Sequence, residues 1–123
     1  IKPWQWEDGT SLTMSTTQQH WLELGGKLYL IYTRKNGVNG DVFRWRAPLL
    51  PAEFDPENLC LKKTTEQTVF PMRPVPQNRK SVGLMGNFHP LAVSEHEAIV
   101  TVGEMRPDSG FTGDTILARI KVD

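Results

Sequence analysis

The sequence predicts an all-β protein made of antiparallel sheets. Short segments rich in β-branched and aromatic residues alternate with turn signals such as Gly25-Gly26. No stretch shows the sustained 3.6-residue apolar period of an amphipathic helix. Four such segments with short polar connections predict one up-and-down sheet, and they span roughly residues 18–23, 27–34, 42–50 and 59–66.

A second, shorter copy of this unit is predicted at residues 84–122, after a connector that carries three prolines. Repetition of a hairpin, a loop and an outer strand favours two four-stranded blades of a β-propeller. A β-sandwich is the alternative, because its strand count fits almost as well. The predicted division is an N-terminal hairpin or the end of a preceding blade at 1–16, a blade at 17–70, a connector at 71–83 and a final blade at 84–123.

Two blades alone would expose apolar faces and strand edges. We therefore expect the remaining blades of a larger propeller, or self-association, to cover them. The sequence starts at Ile1 rather than Met, so we expect a processed chain or a segment of a longer one.

The composition argues against several classes of function. Lys and Arg together number 14 and so do Asp and Glu, so the basic excess that favours nucleic acid is absent. No apolar run approaches the roughly 20 residues that cross a bilayer, and we expect no membrane partner. Cys60 is the single cysteine, and its place between Leu59 and Leu61 predicts a small buried apolar residue rather than a nucleophile.

Several motifs resemble the C-terminal part of bacterial sialidase-like proteins, which carry a six-bladed propeller of BNR repeats. The segments that carry this resemblance are Thr17-Gln18-Gln19-His20-Trp21-Leu22, Leu28-Tyr29-Leu30-Ile31-Tyr32-Thr33-Arg34, Val42-Phe43-Arg44-Trp45-Arg46-Ala47-Pro48-Leu49, Ala52-Glu53-Phe54-Asp55-Pro56, Leu84-Met85-Gly86-Asn87-Phe88 and Ala118-Arg119-Ile120. The Asp-box repeat of that family is not intact, and Glu7-Asp8-Gly9-Thr10 keeps only a remnant.

The resemblance implies part of a sialidase-like exo-glycosidase that acts on a polar or acidic glycan. Its site would be completed by blades outside this chain, it would need no cofactor, and it would be secreted or periplasmic. The alternative is a non-catalytic propeller fragment, either structural or carbohydrate-binding, with Trp21 or Trp45 as a sugar platform.

In a propeller, the inner strands begin at the face that carries the pocket, and the loops between second and third strands rise on the same face. This placement predicts one polar face formed by Gln18, Gln19, His20, Asn87, His89, Arg34, Lys35, Asn36, Asp41, Glu104, Arg106 and Asp108. The predicted substrate-binding residues are Gln18, Gln19, His20, Arg34, Asn87, His89 and Arg106. Glu104 and Asp108 are the candidate catalytic acids, and Tyr32 is the candidate nucleophile.

Each candidate also has a structural interpretation. In this interpretation, Gln18 and Gln19 form hydrogen bonds to backbone groups rather than to a ligand, and His20 is a hydrogen-bonded structural histidine. Arg44 and Arg46 could pack between blades with their charged heads on acids such as Glu53 or Asp55. We expect no metal, because the three histidines are scattered and no His/Cys spacing matches a zinc site.

Overall fold

The computed structural model describes residues 2–75, 78–107, 110 and 112–123, and these form antiparallel sheets. The first sheet has the order β1-β2-β3-β4, with strands His20–Leu24, Lys27–Tyr32, Leu50–Asp55 and Cys60–Leu61. A small hairpin pairs β5 (Pro74–Val75) with β6 (Asn78–Val82). The third sheet has the order β7-β8-β9, with strands Leu84–Ala92, Glu97–Arg106 and Thr112–Lys121. The prediction of an all-β chain with antiparallel sheets is confirmed.

The first hairpin follows directly from its turn. Gly25 and Gly26 have φ angles of 59° and 76°, which glycine adopts without strain, and they place Leu24 opposite Lys27. A longer loop leads from β2 to β3, and Asn39 holds it from inside. Its Nδ2 donates to the carbonyl oxygens of Arg34 and Ala47 at 2.7 and 2.8 Å, so this buried amide ties the two ends of the loop together.

The strand predicted at residues 42–50 is wrong in position. Residues Phe43–Trp45 form a 3-10 turn, Arg44 and Trp45 have φ angles of 49° and 48°, and Phe43 is 64% exposed. The third strand is instead β3, Leu50–Asp55, which pairs with β2 from Tyr32↔Leu50 to Tyr29↔Glu53. Alternating side chains form a strand only where a partner strand is available for hydrogen bonding. Here β2 forms its hydrogen bonds with β3, so the segment at residues 43–45 has no partner on β2.

Three other predicted boundaries also change. The segment at 59–66 is the short strand β4 followed by a 3-10 turn at Lys63–Thr65, and the connector at 71–83 contains the β5-β6 hairpin. The separate segments at 84–88 and 91–93 join as one strand, β7, whose register shifts between Met85 and Phe88. The predicted turn at 94–96 is confirmed, and β8 and β9 both extend into the loop expected at 106–114.

The first sheet is the middle of three layers, because both of its faces are buried. Leu30 and Tyr32 point to one side, where Trp6 and Leu12 of the N-terminal segment cover them. That segment turns at Asp8-Gly9 as predicted, with the Trp6 amide donating to the Thr10 carbonyl at 2.9 Å. Burial on two faces explains why β2 reads as a nearly continuous apolar run.

On its other face, the first sheet packs against the third. Leu22, Leu24 and Ile31 join Phe88, Ala98, Val100 and Val102 in one buried cluster. Beyond this cluster, the outer side of the third sheet leaves three large apolar side chains more than half exposed, namely Leu91, Val93 and Leu117.

The close approach of β9 to β8 depends on Gly113. An added Cβ there would overlap the backbone carbonyl of Glu104, whereas a Cβ at Gly103 would meet no atom within 4 Å. We therefore expect Gly113→Ala to lower the free energy of unfolding by about 3 kcal/mol, since a backbone atom cannot turn aside as a side chain can. Chemical denaturation measures the effect. Gly103→Ala is the matched control, and equal losses in both variants would contradict this packing.

Candidate functional site

Part of the predicted polar face lies at one end of the stacked first and third sheets, together with three further arginines. Strands β1 and β7 run in the same direction, because the His20 ring lies 4.9 Å from the Phe88 ring and the Gly25 amide donates to the Glu95 carbonyl. Both strands therefore begin at the same end, and β2 and β8 finish there. We call this the polar end, and it comprises Gln18, Gln19, His20, Arg44, Arg46, Arg73, Asn87, His89, Glu104 and Arg106.

The loop before β3 links the two sheets at the polar end. Arg46 Nη1 donates to the Met85 carbonyl at 3.1 Å, and the Met85 amide donates to the Arg46 carbonyl at 2.7 Å. Arg44 Nη2 donates to the Thr16 hydroxyl at 2.8 Å, just ahead of β1. The interpretation that these arginines pair with Glu53 or Asp55 is therefore wrong. The Glu53 carboxylate pairs with Lys62 instead, and Asp55 accepts a hydrogen bond from the Asn58 side chain.

Glu104 is the buried centre of an arginine cluster. Its side chain is fully enclosed, and its Oε1 lies 3.4 Å from both Arg73 Nη1 and Arg106 Nη2. A Cβ at Gly83 would come within 2.6 Å of the Glu104 Cδ, so that glycine leaves room for the carboxyl group. The two arginine side chains remain 44% and 29% exposed. A buried carboxylate thus holds two guanidinium groups at the surface.

This enclosure bears on the predicted catalytic role of Glu104. Its other oxygen, Oε2, has no hydrogen-bond partner within the described ranges and no contact with solvent. A carboxyl group closed off in this way cannot reach a glycosidic oxygen in the described conformation. The geometry therefore suits Glu104 to positioning arginines rather than to proton transfer.

Tyr32 and Arg34 meet at a second carboxylate, that of Glu66. Arg34 approaches it in a fork, with Nε 2.8 Å from Oε2 and Nη2 2.7 Å from Oε1. The Tyr32 hydroxyl donates to Oε2 at 2.5 Å, and the guanidinium lies 5.2 Å from the centre of the Trp6 ring. Tyr32 is fully buried. The phenol is thus closed to a sugar substrate in this conformation, and its role as a nucleophile stays a prediction.

Burial raises the pKa of Tyr32, and the hydrogen bond to Glu66 and the charge of that group raise it further. The folded chain therefore holds the neutral phenol more tightly than the unfolded chain, whose tyrosines titrate near about pH 10. The resulting stabilisation is complete below that pH and is lost as the pH rises above it.

We accordingly expect the free energy of unfolding to fall above about pH 10, and to fall less steeply in Tyr32→Phe. Urea denaturation at a series of alkaline pH values measures both slopes. Tyr29→Phe is the matched control, because Tyr29 packs against the cluster on the opposite face of the first sheet from Tyr32. Identical slopes in the parent and in Tyr32→Phe would contradict this assignment.

His20 and His89 come together although they lie on different sheets. Their ring centroids are 5.7 Å apart, and His20 Nε2 lies 3.0 Å from the Gln18 side-chain oxygen. Burial lowers the pKa of His20, and the neighbouring charge of His89 lowers it further. Gln19 donates to the Thr17 carbonyl at 2.7 Å, so its amide satisfies a backbone group as the structural interpretation expected.

The remaining predicted residues are placed as follows. Asn87 is exposed at the register shift of β7, and Asp41 is exposed in the loop before β3. Lys35 Nζ lies 5.8 Å from the centre of the Trp45 ring, and the Asn36 amide bonds to the Asn39 side chain. Asp108 lies outside the described residues. The structure thus pairs His20 with His89, Glu104 with Arg106, and Tyr32 with Arg34.

Sequence reasoning missed Arg73 and Glu66. Arg73 lies between prolines in a segment that the sequence predicts to be a connector, yet it contacts Glu104. The sequence predicts Glu66 at the end of a strand, whereas the chain turns at Lys63–Thr65 and brings it to Tyr32. No local pattern marks either residue, because both contacts join positions more than 30 residues apart.

Within the described part of the chain, no group of three or more His, Cys, Asp or Glu side chains is arranged to hold a metal ion. None of the helices in the described ranges has the length and apolar character needed to cross a membrane. A scan of protein-family models and searches of curated proteins and solved structures found no match to this chain.

Proposed function

We propose that this chain is part of a sialidase-like β-propeller, and that its polar end binds the carboxylate of an acidic glycan. The observation that carries the proposal is the pair of part-exposed arginines, Arg73 and Arg106, held by the buried Glu104. Guanidinium groups match the planar geometry of a carboxylate and bind it with charge-assisted hydrogen bonds. A buried positioning acid keeps them in place before the ligand arrives.

The layer arrangement supports a propeller over a sandwich. A sandwich of two sheets buries one face of each sheet and presents polar residues on the other. Here the first sheet buries both faces, as a blade does between two neighbours. The exposed Leu91, Val93 and Leu117 on the outer side of the third sheet suit contact with a further blade.

The charges of the polar end favour an anion over a neutral sugar. Arg44, Arg46, Arg73 and Arg106 gather there, and the described carboxylates among them are Glu104 and Asp114, which lies 3.8 Å from Arg106. The chain as a whole has no net charge, so the positive charge of this end is local. Such a local excess attracts an acidic ligand.

The residues of this chain support binding of a glycan better than they support its hydrolysis. A glycosidase needs an acid and a nucleophile or base within reach of the same glycosidic bond. Glu104 and Tyr32 are both enclosed, so groups elsewhere in the protein would complete the reaction. The second candidate, a non-catalytic carbohydrate-binding fragment, is favoured by this enclosure.

Variants of the arginine cluster test the proposal. We expect the chain to bind N-acetylneuraminic acid in an NMR titration, and Arg106→Ala or Arg73→Ala to weaken binding by about tenfold or more, as loss of a charge-assisted hydrogen bond does. Arg119→Ala is the matched control, since Arg119 pairs with Glu97 3.0 Å away, where β8 begins and far along the strand from Glu104. Equal affinity in all variants would overturn the proposal. Release of a fluorogenic group from a sialoside by this chain would decide for hydrolysis.

A further inference from the structure

Two histidines from different sheets face each other at the polar end, and neither has a carboxylate partner among the described residues. His20 stands at the start of β1 and His89 lies within β7, with ring centroids 5.7 Å apart. The third histidine, His96, differs in having the Glu95 carboxylate 3.9 Å away. An imidazole beside a carboxylate gains a partner on protonation, whereas His20 and His89 would face a like charge.

In the neutral form of the pair, the His20 ring has a hydrogen-bond partner and an aromatic neighbour. The Gln18 amide oxygen lies 3.0 Å from His20 Nε2 and accepts a hydrogen bond in the tautomer that carries the proton on Nε2. The His20 ring also stands nearly perpendicular to the Phe88 ring, at an interplanar angle of 75°. In that tautomer, the second ring nitrogen, Nδ1, is the one that must take up a proton when His20 becomes charged.

Protonation would add two positive charges to a region that already has few negative ones. The charged groups on the neighbouring elements are Arg44 and Arg46 before β3, Arg73 ahead of β5, Glu104 and Arg106 at the end of β8, and Asp114 and Arg119 of β9. Glu104 contacts Arg73 and Arg106, Asp114 lies 3.8 Å from Arg106, and Arg119 contacts Glu97. Each of these acids is thus already paired, and an anion from solution is the partner that would relieve the repulsion between two imidazolium rings.

We propose that His20 and His89 form a proton-dependent site for an oxyanion, such as a carboxylate or a sulfate group, which fills when both rings are protonated. The inference deepens the proposed function, on which it rests for the identity of the natural ligand. It adds a regulation that the arginines cannot supply, because guanidinium groups stay charged throughout the range in which histidine titrates. The ligand affinity of the polar end would therefore rise as the pH falls.

The test follows the histidine ring resonances by NMR between about pH 7.5 and about pH 5, in sodium sulfate and in sodium chloride of equal ionic strength. We expect sulfate to shift the titration midpoints of His20 and His89 to higher pH, because an anion that binds the charged pair favours protonation. His96 is the internal control and should titrate alike in both salts. Equal midpoints in the two salts for all three histidines would overturn the inference.

A second measurement compares affinities at the two ends of this pH range. The parent chain should bind sulfate and glucuronic acid at least about tenfold more tightly at the lower pH, as uptake of one or more protons on binding requires. Neutral N-acetylglucosamine should show no such change. His89→Gln and His20→Gln should abolish the pH dependence, whereas His96→Gln should keep it. Sulfate affinity that is equal at the two pH values would overturn the inference.

These outcomes separate the two proposals. Binding that is independent of pH, unchanged in His89→Gln and lost in Arg106→Ala would sink the histidine site and leave the proposed function standing. Binding that strengthens at low pH in the parent and in Arg106→Ala, but not in His89→Gln, would support the histidine site and count against the arginine cluster.

Discussion

Replacing Phe88 with alanine is expected to lower the free energy of unfolding by about 3–5 kcal/mol, the loss typical of a large aromatic removed from a core. Phe88 is only 1% exposed and belongs to the cluster that joins the first and third sheets. It also contacts His20 across the junction of the two sheets. Its removal would leave a cavity where the sheets meet, and the change is measured by urea denaturation.

Phe43→Ala is the matched control, since it deletes the same atoms from a side chain that is 64% exposed. We expect this variant to lie within about 0.5 kcal/mol of the parent, as surface substitutions usually do. If Phe88→Ala cost no more than Phe43→Ala, the two sheets would not pack in solution as described, and the polar end would not exist as one surface.

Glu66→Ala is expected to cost about 3–5 kcal/mol, the penalty for removing one member of a largely buried ion pair. The change strands the Arg34 guanidinium, whose side chain is only 16% exposed, and leaves the Tyr32 hydroxyl without its acceptor. Glu66→Gln should cost less, because the amide oxygen can still accept one hydrogen bond.

The control for this network is Glu57→Ala, at an exposed position in the turn before β4. Denaturation midpoints of the parent and the three variants measure the effect. A cost for Glu66→Ala below about 1 kcal/mol, no greater than that of an exposed pair, would contradict the described geometry. A double-mutant cycle with Arg34→Met isolates the energy of coupling between the two charges.

The sequence was sufficient for those parts of the fold that local patterns determine. Gly25-Gly26 gave the first hairpin, and the apolar alternation of 116–122 gave the last strand. The third strand was misplaced because Phe43-Arg44-Trp45 alternates as strongly as any strand, whereas strand formation also needs a free partner. The strand that pairs with β2 is β3, and this pairing joins residues too far apart in the sequence for a local pattern to reveal it.

For the candidate site too, the sequence predicted the placement of some residues but not the contacts that enclose them. The propeller placement predicted that the polar residues would share one face, and the structure brings two of them, His20 and His89, to a ring-centroid distance of 5.7 Å. The roles of Glu104 and Tyr32 were less accessible, since their enclosure depends on Arg73, Gly83 and Glu66. These partners come from segments that the sequence marks only as turns and connectors.

Recognition of a carboxylate by the polar end is tested by NMR titration of the parent chain at neutral pH with N-acetylneuraminic acid and with its methyl ester. The two ligands differ only at the carboxyl group, which is ionised in the acid and is an uncharged methyl ester in the other. We expect the acid to bind at least about tenfold more tightly, with shifts centred on Arg73, Glu104 and Arg106. Equal affinities, or shifts confined to residues away from the polar end, would contradict recognition of an acidic glycan by this arginine cluster.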